Sequence, residues 1–332
     1  MLISLQVAVN KTVLRWIFKL CLAAAAIYCL YVASVPISPS CRNRPVGAGW
    51  PLRSAWGNGG HRLINRLAAS TLPASVPAFL RSDAAVNEIE YLGPEPDRWR
   101  SPAEPELSAA QGPEHFIDLE PADALGPLPH RRLDFEAKVF AAGDRPEKIG
   151  LQPWEATEVW ERLKAALREY RALTAAGKDT HGVEAAAIFY AGWLGHYVGD
   201  ASQPLHTTIQ YNGWVGPNPN GYTTAHQIHW QFEGPFVDAN LHEPEVKSRM
   251  TEPKAVEGDM FDSYVAYLRA TKTYVEKVYQ LEKAGGFVGS GSAESREFTA
   301  ERLAAGASML RDMIYTAWVE SAKPVPDPYA GK

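Results

Sequence analysis

His196 and Asp200 lie four residues apart in LGHYVGDASQPLH, which puts an imidazole and a carboxylate on one helix face. His206 follows just past Pro204, which must end that helix, so a loop can bring it back to the pair. A second pair, His229 and Glu233 in HWQFE, repeats the spacing. Two such pairs and a loop histidine supply the nitrogen and oxygen donors that zinc accepts. A lone His/Asp pair on a helix is ordinarily just a hydrogen bond. This one sits in the most apolar stretch of the chain, AAAIFYAGWLGHYVG. There a buried carboxylate beside a buried imidazole costs on the order of several kcal/mol unless something positive compensates.

Further donors stand in other segments. PDRWR offers Asp97, with Arg100 three residues on, EHFID offers His115, and WGNGGH places Trp56 five residues before His61. His226 lies one helical turn before His229 and is an alternative ligand or a donor behind one. His130, His181 and His242 stand in polar contexts and are expected to be exposed. The cysteines, Cys21, Cys29 and Cys41, all precede Trp56. Disulfides therefore do not hold the body together, and a thiolate metal site is excluded there.

These residues need helices to hold them. The strongest helical pattern runs from Trp154 to Ala175, with Val159, Leu163, Ala166, Leu167, Tyr170 and Leu173 on one stripe. A second helix is predicted over about 182–202, apolar nearly all round and so central. Further helices fit 257–284 and 294–320, with shorter ones at 61–72 and 74–81. Segments 84–153 and 207–227 are rich in Pro and Gly and read as loops. Alternating strand patterns are scarce. The expected fold is all-α: a multi-helical single domain with long loops around a metal cleft.

The chain has 332 residues, 46% of them hydrophobic and 21% charged, which excludes global disorder. Its net charge is −5. That argues against a basic face gripping duplex nucleic acid, though not against metal ions gripping phosphates. Six of the 33 Lys and Arg precede Trp56, whereas no Asp or Glu occurs before Asp83. Lys11, Arg15 and Lys19 flank an uncharged run from Leu20 to Ile37. Residues 1–37 thus read as a secretory signal or an N-terminal membrane anchor. Either makes the protein exported: periplasmic, secreted or tethered facing outward. Residues 38–55 read as a Pro/Gly/Arg-rich linker, 56–322 as the domain and 323–332 as a flexible tail.

Together the motifs resemble the superfamily of zinc-dependent phospholipases C and single-strand-specific nucleases, over roughly Trp56 to Asp238. The likeness rests on six motifs in order rather than on any one. It implies an all-α fold holding three zinc ions (Zn2+). The first ion would take Asp97, His115, His196 and Asp200; the second, His206, His229 and Glu233. The third would take His61, Asp200 as a bridge, and the backbone amine and carbonyl of Trp56 as a free N-terminus. That last role requires cleavage after Ala55; Trp50 is a competing mature terminus. WGNGGH, the Asp97/Arg100 pair and QPLH resemble the nucleases. Glu233, where the nucleases usually carry Asp, and HWQFEGPFVD resemble the phospholipases.

The resemblance implies phosphodiester hydrolysis by a metal-activated water, with single-stranded nucleic acid or phospholipid as substrate. Asp97 is a ligand and a candidate to orient or deprotonate the water, and Arg100 is a candidate to bind the phosphoryl oxygens. A nuclease is favoured over a phospholipase C. The non-enzymatic alternative is a zinc-stabilised binding protein. No stable protein partner is implied, and residues 20–37 are a possible tether. Tyr211, Trp214 and Tyr222, in the loop between two expected ligands, stack on a base, line an acyl or headgroup pocket, or pin the loop down.

Overall fold

A computed structural model describes residues 56–325. The leader, the linker to Ala55 and the tail beyond Val325 lie outside the described residues. Among those described there is no β-strand, only the isolated bridges Ile117–Gly150 and Tyr211–Gly213. The architecture rests on α1 (Gly57–Ser70), α2 (Asp83–Leu92), α3 (Gln152–Ala175), α4 (His181–Ser202), α5 (Met260–Lys272), α6 (Val275–Lys283) and α7 (Ala293–Glu320).

Helix α4 is the hub, packed against α1, α2, α3, α5 and α7. Its C-terminal half, Leu194 to Ser202, is buried on every side, whereas His181 to Tyr190 lies largely at the surface. Two glycines explain how α1 comes so close. A Cβ on Gly195 would stand 2.0 Å from Asn65 Oδ1, and one on Gly199 would stand 2.9 Å from the His61 ring. Only a bare backbone admits α1 at this depth, and this approach seats His61 beside Asp200.

Four elements depart from the sequence expectation. Helix α1 starts at Gly57 rather than His61. Its GNGG opening hid the start because glycine is a poor helix former. Here Gly60 is needed, since a Cβ would meet Trp56 Cβ at 2.9 Å. The segment expected as loop from 84 contains α2. Ser82 caps that helix by accepting from the Ala85 N–H, and its buried face is Ala85, Val86, Ile89 and Leu92. The 257–284 helix is two, α5 and α6, broken at Thr273. There the hydroxyl donates to the Ala270 carbonyl, and the backbone tightens to three-residue bonds. Over 74–81 only the turn Ala78–Arg81 forms, anchored by Leu80.

Candidate metal centre

The donors converge at the C-terminal end of α4. There Pro204 stops the helix and the chain tightens into the turn Pro204–Thr207. That turn is bound to the His115 segment in both directions. His206 Nδ1 lies 2.7 Å from the His115 carbonyl, and the Ile117 N–H donates to the His206 carbonyl. Asp97 arrives from the short helix Glu95–Arg98, and His229 and Glu233 from the short helix Ile228–Glu233.

Asp200 is at the middle of the group. Its Oδ2 lies 3.2 Å from His115 Nδ1, 3.4 Å from His196 Nε2 and 3.9 Å from His206 Nδ1. Its Oδ1 lies 3.4 Å from His61 Nε2. Asp97 Oδ1 stands 3.8 Å from His115 Nδ1 and 3.9 Å from His196 Nε2. On the other side, Glu233 Oε2 is 2.9 Å from His229 Nε2 and 3.6 Å from His206 Nε2. Three sets of donor atoms are each close enough for one ion: His61/His196/Asp200, Asp97/His115/His196 and His206/His229/Glu233.

The chemistry of this donor set fits divalent cations. Asp97 Oδ1 and Oδ2, Asp200 Oδ1 and His115 Nε2 are buried without a hydrogen-bond partner. Burial pushes the carboxyls of Asp97 and Asp200 up to about 8. It drives His115 and His196 well below the usual histidine range, so both imidazoles are neutral and can ligate. Buried carboxylates with vacant oxygens beside neutral imidazoles are a metal site's donors before the metal arrives. Glu233 differs. Burial pushes it up, but His229 and His206 outweigh that and hold it at about 2. Backbone carbonyls fix the rings: Gly93 O stands 2.8 Å from His196 Nδ1, and Tyr211 O stands 2.9 Å from His229 Nδ1. Each leaves Nε2 facing the cluster.

Trp56 is fully buried in a left-handed conformation (φ 49°), with its indole N–H donating to Gly199 O at 2.7 Å and Ser202 Oγ at 3.0 Å. Its backbone N–H points to Glu233 Oε2 at 3.3 Å, and its carbonyl accepts from the Gly60 N–H. The anticipated backbone contact with the His61–Asp200 pair is therefore not the one this geometry displays. Arg100 lies 3.7 Å from Asp97 Oδ1. His226 is exposed and outside all three sets, as are His130, His181 and His242. Among the described residues one exposed group of donors, His130/Asp259/Asp262, lies elsewhere.

A cleft of about 420 Å³ opens over the donors. Arg100, His115, His206, His229 and Glu233 line it, together with Phe116, Asp118, Lys148, Tyr211 and Trp230, which the sequence reading did not assign to a site or, for Tyr211, left open. Of the three loop aromatics only Tyr211 faces the cleft. Trp214 and Tyr222 pack on each other and on Tyr279 and pin the loop. Also missed was Gln203, fully buried, whose Nε2 donates to Glu233 Oε2. Its place between the last helical residue and the proline was the available signal.

The S1/P1 nuclease family model matches residues 56–326. Solved structures similar to this chain include the alpha toxin of Clostridium absonum, at 15% identity and a TM-score of 0.40, covering 82% of this chain and 68% of the toxin. The Clostridium perfringens alpha-toxin from avian strain SWCP gives 15% identity and a TM-score of 0.38, covering 80% of this chain and 65% of the toxin. The chain thus spans about two thirds of the length of those toxins. No curated protein matches.

Proposed function

The chain belongs to the S1/P1 nuclease family and is a zinc-dependent phosphodiesterase, and from that premise we propose that it hydrolyses single-stranded nucleic acid at a three-zinc centre. The observation that carries the three-ion reading is the convergence of eight side chains from distant segments, Asp200 and Glu233 among them, into three donor sets. In this reading Asp97, His115, His196 and Asp200 hold one ion, and His206, His229 and Glu233 hold a second. His61 and Asp200 hold a third, with the Trp56 amine and carbonyl once the chain begins at that residue. In the uncut chain its backbone nitrogen lies 3.3 Å from Glu233 Oε2, in the neighbouring donor group.

Bound zinc would supply a Lewis acid for the phosphoryl oxygens and lower the pKa of an attacking water. The chain's own residues do the remaining work. Asp97 orients the water and takes its proton at a carboxylate oxygen. Arg100, about one third exposed, reaches from the cleft wall to the phosphoryl oxygens as charge builds on them. Neutral His115 and His196 leave the cleft's positive charge to the ions, Arg100 and Lys148.

A nucleic acid substrate is favoured over phospholipid by the family model. The basic-flanked run 20–37 supports export, with the catalytic domain taken as 56–322. Among the described residues no helix is long and apolar enough to cross a membrane. The test presents zinc-loaded protein with single-stranded DNA, RNA and phosphatidylcholine in parallel, with a chelator control. Chelator-sensitive release of nucleotides is the expected result; release of phosphocholine alone would overturn it.

A further inference from the structure

We infer that Asp238 is a positioning residue for the third ion: its carboxylate holds the GNGG turn between Trp56 and His61, and so sets where the Trp56 amine stands once the chain begins there. The inference rests on the reading that this amine is a ligand, and adds the group that places it.

The need is already present in the sequence. Trp56 and His61 must serve one ion from opposite ends of Gly57-Asn58-Gly59-Gly60, and three glycines give that segment more backbone freedom than other residues would. Cleavage after Ala55 removes the chain that would restrain it from the other side. Within the turn, the Trp56 carbonyl accepts the Gly60 N–H. Helix α1 has no side-chain cap of its own, however, and no acidic residue in its first turn. Trp56 is gripped by its ring: the indole N–H donates to Gly199 O and Ser202 Oγ, and the ring lies 5.2 Å from Phe232. Those contacts fix the side chain and leave the backbone nitrogen to the turn.

Asp238 supplies from another helix what α1 lacks. The short helix Pro235–Asn240 follows Glu233 after one residue, Gly234. Phe236 and Val237 are buried and anchor it, with Phe236 5.3 Å from Phe287. Asp238 comes next and meets the first turn of α1, where its carboxylate accepts the Gly59 N–H. Gly59 shows how close this approach is. It does not take a positive φ, so conformational freedom is not why it is glycine. A Cβ there would stand 2.2 Å from Asp238 Oδ1, so room for the carboxylate is the reason. Gly57 is packed against the same segment, since its Cβ would stand 3.2 Å from the Glu233 carbonyl oxygen. One stretch of chain thus carries both Glu233, which faces the Trp56 nitrogen, and Asp238, which grips the turn behind it. A surface cap elsewhere would stabilise its helix and do no more. This one holds the turn that joins two ligands of one ion.

The experiment measures zinc affinity by chelator competition and zinc content by elemental analysis, in chains beginning at Trp56 and at Ala55. Wild type is compared with Asp238→Ala, Asp238→Asn and Gly59→Ala, and helix content and Tm are recorded alongside. In the chain beginning at Trp56, Asp238→Ala is expected to weaken the most loosely held zinc ion about 10- to 100-fold. Asp238→Asn keeps an oxygen for the Gly59 N–H and should recover most of that loss. Gly59→Ala, whose methyl group displaces the carboxylate, should match Asp238→Ala even though alanine is the better helix former. In the chain beginning at Ala55, which has no amine to place, the three substitutions should leave zinc affinity unchanged. Wild-type zinc affinity with a lower Tm in Asp238→Ala would make Asp238 a helix cap only and overturn the inference. An equal loss in Asp238→Asn would assign the effect to charge, and an equal loss in the chain beginning at Ala55 would assign it to the fold; either overturns the positioning role. Equal zinc in the two wild-type chains would overturn the amine-ligand reading itself, and the inference with it.

Discussion

Gln203 Nε2 donates to Glu233 Oε2 at 3.0 Å, while Gln203 Oε1 accepts the Leu205 N–H. One side chain thus ties the end of α4 and the turn bearing His206 to the carboxylate opposite. Gln203 is fully buried, so its amide cannot trade these bonds for water. Glu233 receives on Oε2 the Trp56 N–H as well. Its orientation is set by the chain before any metal is present.

Replacing Gln203 separates these duties. Gln203→Glu keeps an acceptor for Leu205 but loses the donor to Glu233; Gln203→Met loses both. Both variants are expected to bind zinc about 10- to 100-fold more weakly in the His206/His229/Glu233 group. Chelator competition followed by elemental analysis checks this, and excess zinc should restore much of the activity. Wild-type affinity in Gln203→Glu would show that the donor to Glu233 is dispensable.

Asp200 touches both sides of the centre, so Asp200→Asn is expected to lose zinc and activity together, with turnover down by at least about 100-fold. Asn removes the charge but nearly keeps the shape, and the buried pocket should survive. Full zinc occupancy in this variant would refute the bridging role.

Arg100 makes the opposite prediction. It stands at the cleft wall and is in none of the three donor sets. Arg100→Ala should keep its zinc and lose roughly 100-fold in kcat, with Arg100→Lys intermediate because a point charge replaces a fork of donors. Unchanged turnover in Arg100→Ala would remove the residue from the transition state.

The donors were legible because they lie in short motifs whose spacing survives folding: i,i+4 on α4, i,i+4 on Ile228–Glu233, and a histidine past a proline stop. The hub position of α4 was legible from its apolar length. What the sequence concealed depends on neighbours. Helix α1's start is written in glycines, whose reason is the approach of Trp56 and, at Gly59, of Asp238 Oδ1, 2.2 Å from where a Cβ would sit. Trp230 looked like any aromatic beside a histidine until Ile228 and Phe232 claimed the buried face. Gln203 carries no charge, so no pattern of titratable groups singles it out.

Glu155 supplies a pH effect away from the metals. Burial, with Glu114 beside it, pushes its carboxyl from an ordinary 4.5 up to about 7, against the pull of Arg132. The folded state therefore holds the proton more tightly than the unfolded chain does. The stability this lends is full below 4.5 and is lost as pH rises to about 7. Glu155→Gln stays neutral and still accepts from Arg132. Its melting temperature relative to wild type should rise between about pH 5 and about pH 8; a difference flat with pH would show that Glu155 is ionised throughout.

The N-terminus offers the last test. The Trp56 backbone nitrogen is buried and 3.3 Å from Glu233 Oε2. As an amide it donates one hydrogen bond and has no free lone pair, so it cannot ligate. As a terminal amine it would have one, at the edge of the donor cluster. A chain beginning at Trp56 is expected to hold about one zinc ion more than the same chain beginning at Ala55, at equal helix content. Mass spectrometry of exported protein should find Trp56 first. Equal zinc in both forms would leave His61 and Asp200 to hold the third ion without the backbone, or leave the centre with two. Separating those outcomes needs His61→Ala: loss of about one ion identifies the former, and unchanged zinc the latter.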